Sequence, residues 1–303
     1  MVDPSRERLR LLPSWVYPVK GLYTRAHSLA WLARTRGRPP APGLRVLFYH
    51  RVTPDRDPLG VTPQRFRAQM DFLAASGWRV VDVAEAGRLL RSGESLDRVV
   101  GLSFDDGHLD VVENAMPILA ELGFRATVFV VTGALDGDLT YEWYKQMPPL
   151  ISWEDVVRLD RDSPLRFEAH SVTHPNLLTL DDERAREEIS TSKAVLESRL
   201  ERPIEAFSYP AGLFGPRDRR LVDEAGYKVA VSTEPGINDA SRDRFALWRN
   251  QIEHHDSLLD FRAKLESGNN PLLPFRALHR RLRYGAPSLS MLTTLTAPWA
   301  SSL

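Results

Sequence analysis

Short apolar runs alternate with amphipathic segments along most of this chain, and that alternation limits the fold more than any other feature. Residues 44–50, 78–81, 99–104, 126–131, 165–169, 204–209, 227–232 and 245–252 read as strands. Between and after them, residues 63–76, 83–91, 110–122, 153–159, 181–200, 216–225 and 256–266 carry apolar side chains at helical spacing. The run at 126–131 is continuously apolar, as a strand covered on both faces must be. Repeated βα units of this kind predict a parallel sheet, closed into a barrel or doubly wound. Gly123 ends the helix at 110–122, and Pro117 is expected to kink it. Residues 132–152 form a polar and aromatic insertion without a clear period.

The Pro- and Gly-rich stretch at 36–43 supports neither helix nor strand, so it separates an extension (1–43) from the domain (44–267). Residues 268–303 read as a loose tail. Forty Lys and Arg balance forty Asp and Glu, which removes the electrostatic argument for a nucleic-acid partner. Cys is absent, so any metal must sit on histidine and carboxylate. After Arg6, Arg8 and Arg10, Pro13 and Ser14 interrupt the apolar run that a secretory leader needs, and a cytoplasmic location is expected. Residues 9–33 mix Leu, Trp and Tyr with Arg and Lys, a composition open to peripheral membrane association. The base rate for amphipathic segments favours a helix packed on the domain instead.

Three polar clusters stand where strands end: Asp105-Asp106-Gly107, His170 to His174, and Tyr209-Pro210-Ala211-Gly212. In α/β barrels the strand C-termini form the active-site face, so ligands from separate strands converge there. His170 and His174 stand at i and i+4, and a helical turn after the strand would point both the same way. Two imidazoles and one carboxylate leave open positions on Zn²⁺ or a similar ion for water and substrate. The second carboxylate is then free to take a proton from the attacking water.

These residues resemble a known family. Ser103-Phe104-Asp105-Asp106-Gly107 is similar to the first motif of the polysaccharide deacetylases, carbohydrate esterase family four, the NodB homology domain. His170-Ser171-Val172-Thr173-His174-Pro175 is similar to the second motif, and Phe207 to Gly212 to the third. The resemblance spans about residues 44–266 and implies an irregular (β/α)₇ barrel. It implies Asp105 as general base and Asp106, His170 and His174 as ligands of one divalent ion, with Zn²⁺ expected. The implied reaction removes the N-acetyl group of an amino sugar and releases acetate.

The third motif departs from the family, with Ser208 where Arg is usual and Ala211 where Tyr is usual. The Arg normally orients the base, and Arg249 on a late strand is a candidate replacement, with an ordinary surface Arg the other reading. The backbone N–H that donates to the oxyanion can come from Ala211, beside Tyr209 and Pro210. For the general acid, His50 ends the first strand in a segment resembling the poly-N-acetylglucosamine deacetylase branch, where an equivalent His takes that role. His255 is the alternative, in a loop polar enough to be solvated. Tyr141, Trp143 and Tyr144 in the insertion can stack on a sugar or pack on their own domain.

Overall fold

The computed structural model describes residues 16–268, apart from 37, 138, 142 and 145. The expected tail after Gly268 and the Arg6–Arg10 segment lie outside the described residues. Helix α1 (Val16–Arg34) precedes the domain. The strands are β1 (Arg45–Tyr49), β2 (Arg51–Val52), β3 (Gly60–Val61), β4 (Arg79–Val81) and β5 (Val99–Phe104), then β6 (Ala126–Val130), β7 (Leu165–Ala169), β8 (Ala206–Ser208), β9 (Val229–Val231) and β10 (Asn250–Gln251). The helices between them are α2 (Pro63–Ala75), α3 (Val83–Ser92), α4 (Met116–Leu122), α5 (Thr132–Leu135), α6 (Trp153–Asp162), α7 (Asp182–Leu200) and α8 (Pro216–Glu224), with α9 (Leu258–Ser267) last.

Eight parallel strands form one sheet in the order β10-β1-β5-β6-β7-β8-β9, with β4 on the first half of β5 and β6 on its second half. The sheet curls until its edges meet. Leu247 exchanges backbone hydrogen bonds with Ala230 and Ser232 beside β9, and three residues later Asn250 pairs with Leu47 of β1. The fold is therefore the irregular seven-membered (β/α) barrel that the sequence resemblance implies. The long strand expected at 245–252 shrinks to two residues, because this segment crosses the seam instead of running along one neighbour.

The expected helix at 110–122 is likewise divided. Residues Val111–Ala115 form a π turn and α4 begins at Met116. Pro117 has no N–H to donate and its ring crowds the preceding turn, which accounts for the wider loop. Side-chain caps start the other helices where polar residues stand: Thr62, Asp82, Ser152, Asp181 and Ser257 each accept from a first-turn N–H.

Alternation along each strand sorts two apolar layers. Leu47, Tyr49, Leu102, Phe104, Val128, Phe167, Phe207 and Tyr209 face the helices. Val46, Phe129, Ala206, Val229 and Leu247 fill the barrel bottom. The same period places Phe48 and His50, Ser103 and Asp105, Glu168 and His170, and Ala206 and Ser208 on the inner face. Polar inner residues thus gather toward the strand C-termini.

Candidate active site

Asp105 ends β5 with a last ladder bond, its N–H donating to the Tyr49 carbonyl at 3.0 Å. Asp106 and Gly107 then take φ of 74° and 72°, turning the chain over the barrel rim. Six described residues other than Gly have positive φ, and Asp106, Ser171, His174 and Ala211 are four of them. Such conformations cost free energy and persist where the surroundings over-determine them, so their concentration at one rim marks a constructed site.

Arg249 is wholly buried and spends all its donors here. Its two terminal nitrogens donate to the Asp105 oxygens at 2.7 Å each, and the same nitrogens reach Ser103 Oγ at 3.2 Å and Ser208 Oγ at 2.9 Å. Its Nε donates to the Ser232 carbonyl at 2.7 Å. The planar guanidinium lies between rings, 4.3 Å from the Phe48 centroid and 5.5 Å from that of Phe129. A lysine has neither the fork nor the plane for this position. Burial pushes the Asp105 carboxyl up, but Arg249 and the nearby His170 outweigh it and hold the group below its ordinary value. The two serines that complete this clamp were not expected from sequence. Ser208 stands where the family's third-motif Arg would be, and its small side chain makes room for Arg249.

Asp106, His170 and His174 converge beside this clamp, with one ligand atom from each within 4.8 Å of the others. The Asp106 Oδ1 is 3.6 Å from His170 Nε2 and 3.8 Å from His174 Nε2. His170 Nδ1 lies 2.7 Å from the Ser208 carbonyl, which can only accept, so Nδ1 carries the proton and Nε2 offers its lone pair. The convergence does not come from the expected helical turn. Residues 171–176 are irregular with a bend at 172–173, and Ser171 and His174 reach the site through left-handed backbone (φ 65° and 58°). Glu188 on α7 fixes that bend by accepting from the Val172 and Thr173 N–H groups at 2.8 and 2.9 Å. Gly133 closes it from the other side, donating to the Val172 carbonyl at 2.9 Å, where any Cβ would stand 2.8 Å from the same oxygen.

His50 lies half-buried on the inner face, within electrostatic reach of Asp105, Arg249 and His170, and burial pulls its imidazole down to about 4. His255 is elsewhere. Its charged neighbours are Glu253, Asp256 and Lys264, and it lies partly buried under α1, so the expected solvated loop is not found. Of the third-motif residues, the Tyr209 side chain belongs to the outer core, stacked 4.3 Å from Phe214 and bonded to the Phe245 carbonyl. Only the backbone turn Pro210–Gly212, with Ala211 at φ 53°, reaches the rim.

The insertion covers the ligands. Tyr141 donates to the Asp106 carbonyl at 2.8 Å and stacks on Trp143 at 4.7 Å, and the Trp143 ring is 5.1 Å from that of His174. Glu142 lies outside the described residues. His108, fully buried against Tyr141 and Tyr144, places Nε2 3.9 Å from Asp106 Oδ2. Its position two residues beyond Asp106 was the sequence signal for it.

The polysaccharide deacetylase family profile matches residues 92–230, a span that holds both carboxylates and both ligand histidines. The polysaccharide deacetylase-type protein YxkH of Bacillus subtilis is 26% identical over 227 residues, covering 74% of this chain and 76% of that protein. Over residues 92–230 the chain is similar to the polysaccharide deacetylases. A second relative, the poly-beta-1,6-N-acetyl-D-glucosamine N-deacetylase of Staphylococcus aureus strain MRSA252, is 22% identical over 207 residues, covering 64% of this chain and 70% of that one. The family fold is seen in the deacetylase PplD of Streptococcus pyogenes, solved with acetate, which superposes with a TM-score of 0.65. That structure is 24% identical, and the match covers 76% of this chain and all (100%) of that one. Polysaccharide deacetylases are metal-dependent hydrolases of carbon–nitrogen bonds other than peptide bonds, and this chain has a histidine–carboxylate cluster that could hold a metal ion.

Proposed function

We propose that this chain is an amino-sugar N-deacetylase that uses one divalent ion, Zn²⁺, to hydrolyse an N-acetyl group and release acetate. The observation that carries the reading is the pairing of a clamped base with a ligand cluster, Asp105 on Arg249 beside Asp106, His170 and His174. The cluster fits a cation. Asp106 Oδ1 is buried with no hydrogen-bond partner although two imidazole nitrogens face it. A buried carboxylate oxygen left so costs free energy that a metal ion would recover. Asp106, His170 and His174 would hold the ion, which supplies Lewis-acid polarisation of the amide carbonyl and acidifies the attacking water.

The chain's own residues divide the remaining work. Asp105, kept ionised by Arg249, accepts the proton of the attacking water. The Ala211 N–H, at the rim of β8, donates to the carbonyl oxygen as it becomes negative. The leaving amine nitrogen must receive a proton, and His50 delivers it. Because burial keeps His50 neutral at rest, it first takes a proton from solvent water, when negative charge building up on the substrate beside it raises its basicity, and then passes that proton to the amine. Tyr141 and Trp143 close the site from the insertion side and offer an aromatic edge to a sugar ring.

The S. aureus relative named for poly-beta-1,6-N-acetyl-D-glucosamine supports an N-acetylglucosamine-type substrate. A lipid-linked or nucleotide-linked precursor, or a small glycoside, suits the cytoplasmic location that forms part of this proposal and that cell fractionation tests. An impaired glycan-binding protein is the second reading that a missing third-motif Arg would favour, and the pairing of Arg249 with Asp105 argues against it. Acetate release from N-acetylglucosamine oligomers by Zn²⁺-loaded protein, abolished by chelation, is the expected result. Formate release from N-formyl substrates with no acetate release would make it a different amide hydrolase.

A further inference from the structure

Helix α1 is amphipathic in the reverse sense. Over residues 21–28 its domain-facing side is small and polar: Thr24 and Ser28 are fully buried, and a Cβ on Gly21 would meet His255 at 3.3 Å. Lys20 pairs with Glu253 at 3.4 Å and Arg25 with Asp260 at 3.1 Å, which fixes the rotation of the helix. Trp31 and Leu32 are half-buried near its end, but Val19, Leu22 and Leu29 face outward at helical spacing, exposed to 61%, 75% and 49%. Of the large apolar side chains exposed among the described residues, only Leu178 lies away from α1 and its packing partner α9, which contributes Leu258 and Leu259. A soluble surface scatters such residues singly, so their concentration on one helix pair marks a docking face.

The charge around this face selects the occupant. Helix α1 contains Lys20, Arg25 and Arg34 and no carboxylate. Residues 1–43 hold eight Lys or Arg against two Asp or Glu, whereas residues 44–303 hold 32 against 38. The chain is neutral as a whole, but its first 43 residues carry a basic excess. A second copy of the same face would bring like charges together, while an anionic bilayer offers both an apolar layer and phosphate charge. No described helix is long and apolar enough to cross a membrane. We infer that α1 lies along an anionic phospholipid surface, with Val19, Leu22 and Leu29 inserted at the headgroup boundary and the exposed Arg34 against phosphates.

Flotation of the full chain with vesicles tests this independently of catalysis. Binding to vesicles containing phosphatidylglycerol is expected, with roughly tenfold or weaker binding to phosphatidylcholine alone. The double change Leu22→Glu and Leu29→Glu should lower binding on the order of 10²-fold, with circular dichroism unchanged. Leu178→Glu, an exposed apolar position away from this face, should leave binding as it is. Failure to bind anionic vesicles, or binding that the double change does not weaken, overturns the inference. A dimer that the double change dissociates, without vesicle binding, assigns the face to a second copy and overturns it equally.

Discussion

Two clusters of histidine and carboxylate stand at the strand C-terminal end of this barrel, and their charge balance differs. In each, three ligand atoms lie within 4.8 Å of one another: Asp106, His170 and His174 in one, Glu253, His255 and Asp256 in the other. In the first, the Arg249 guanidinium is committed to Asp105, and among the described residues the Asp106 oxygens have only imidazoles as ion-pair partners within 4.0 Å. In the second, Lys264 reaches Asp256 at 2.6 Å and Glu253 at 3.8 Å, and Lys20 reaches Glu253 at 3.4 Å. Two ammonium groups already answer two carboxylates there. Ligand-type residues at ligand spacing are thus not enough; a site for a divalent cation also needs a local deficit of positive charge.

Metal stoichiometry probes that difference most directly. Chelated and reloaded protein should bind one equivalent of Zn²⁺ per chain by titration calorimetry. His174→Ala should remove that equivalent together with all measurable acetate release, whereas Glu253→Gln should keep both. A second equivalent that disappears in Glu253→Gln would make the lysine-balanced cluster a metal site after all.

The next effect separates clamp from ligand set within the first cluster. Asp105→Asn keeps the shape but not the basicity, so turnover should fall by roughly 10²–10⁴. Metal content, measured by atomic absorption, should stay at the wild-type level. Metal loss in this variant would place Asp105 among the ligands.

The smallest contrast lies between the two candidate acids. His50→Ala should cut turnover by about 10² with metal retained, and His255→Ala should change it by less than about twofold. His255 should show itself in stability instead. Burial, the first cause, holds its imidazole below the usual value against the attraction of Glu253 and Asp256, with Lys264 and His254 adding to the depression. A depressed histidine favours the folded state above its unfolded value near 6.5, and this contribution is lost as pH falls toward the folded value. The urea midpoint should therefore drop between about pH 7 and 5, and less steeply in His255→Ala. An unchanged slope would mean that His255 takes up its proton as readily folded as unfolded. A loss of turnover in His255→Ala larger than in His50→Ala would exchange their roles.

Much of the molecule was open to reading from local pattern alone. Hydrophobic period places β1, β5, β6 and β7 within a residue or so of where they lie, and it places Asp105, His50 and His170 at strand ends on the inner face. Strands 204–209, 227–232 and 245–252 were overextended, since apolar composition continues past the last ladder bond where the chain turns toward the rim or across the seam.

By itself the sequence determined which side chains a closed parallel barrel must present at its rim, because a period of two residues is a local property of the chain. The tertiary structure decided which of them meet. Arg249 and Asp105 are 144 positions apart, and only closure of the sheet at 247–250 brings the guanidinium onto the carboxylate, into space left by Ser208. The same closure, with α1 laid over residues 253–255, separates His255 from the site while His50 stays in it. Those outcomes depend on distances between segments far apart in the chain, and no local period carries that information.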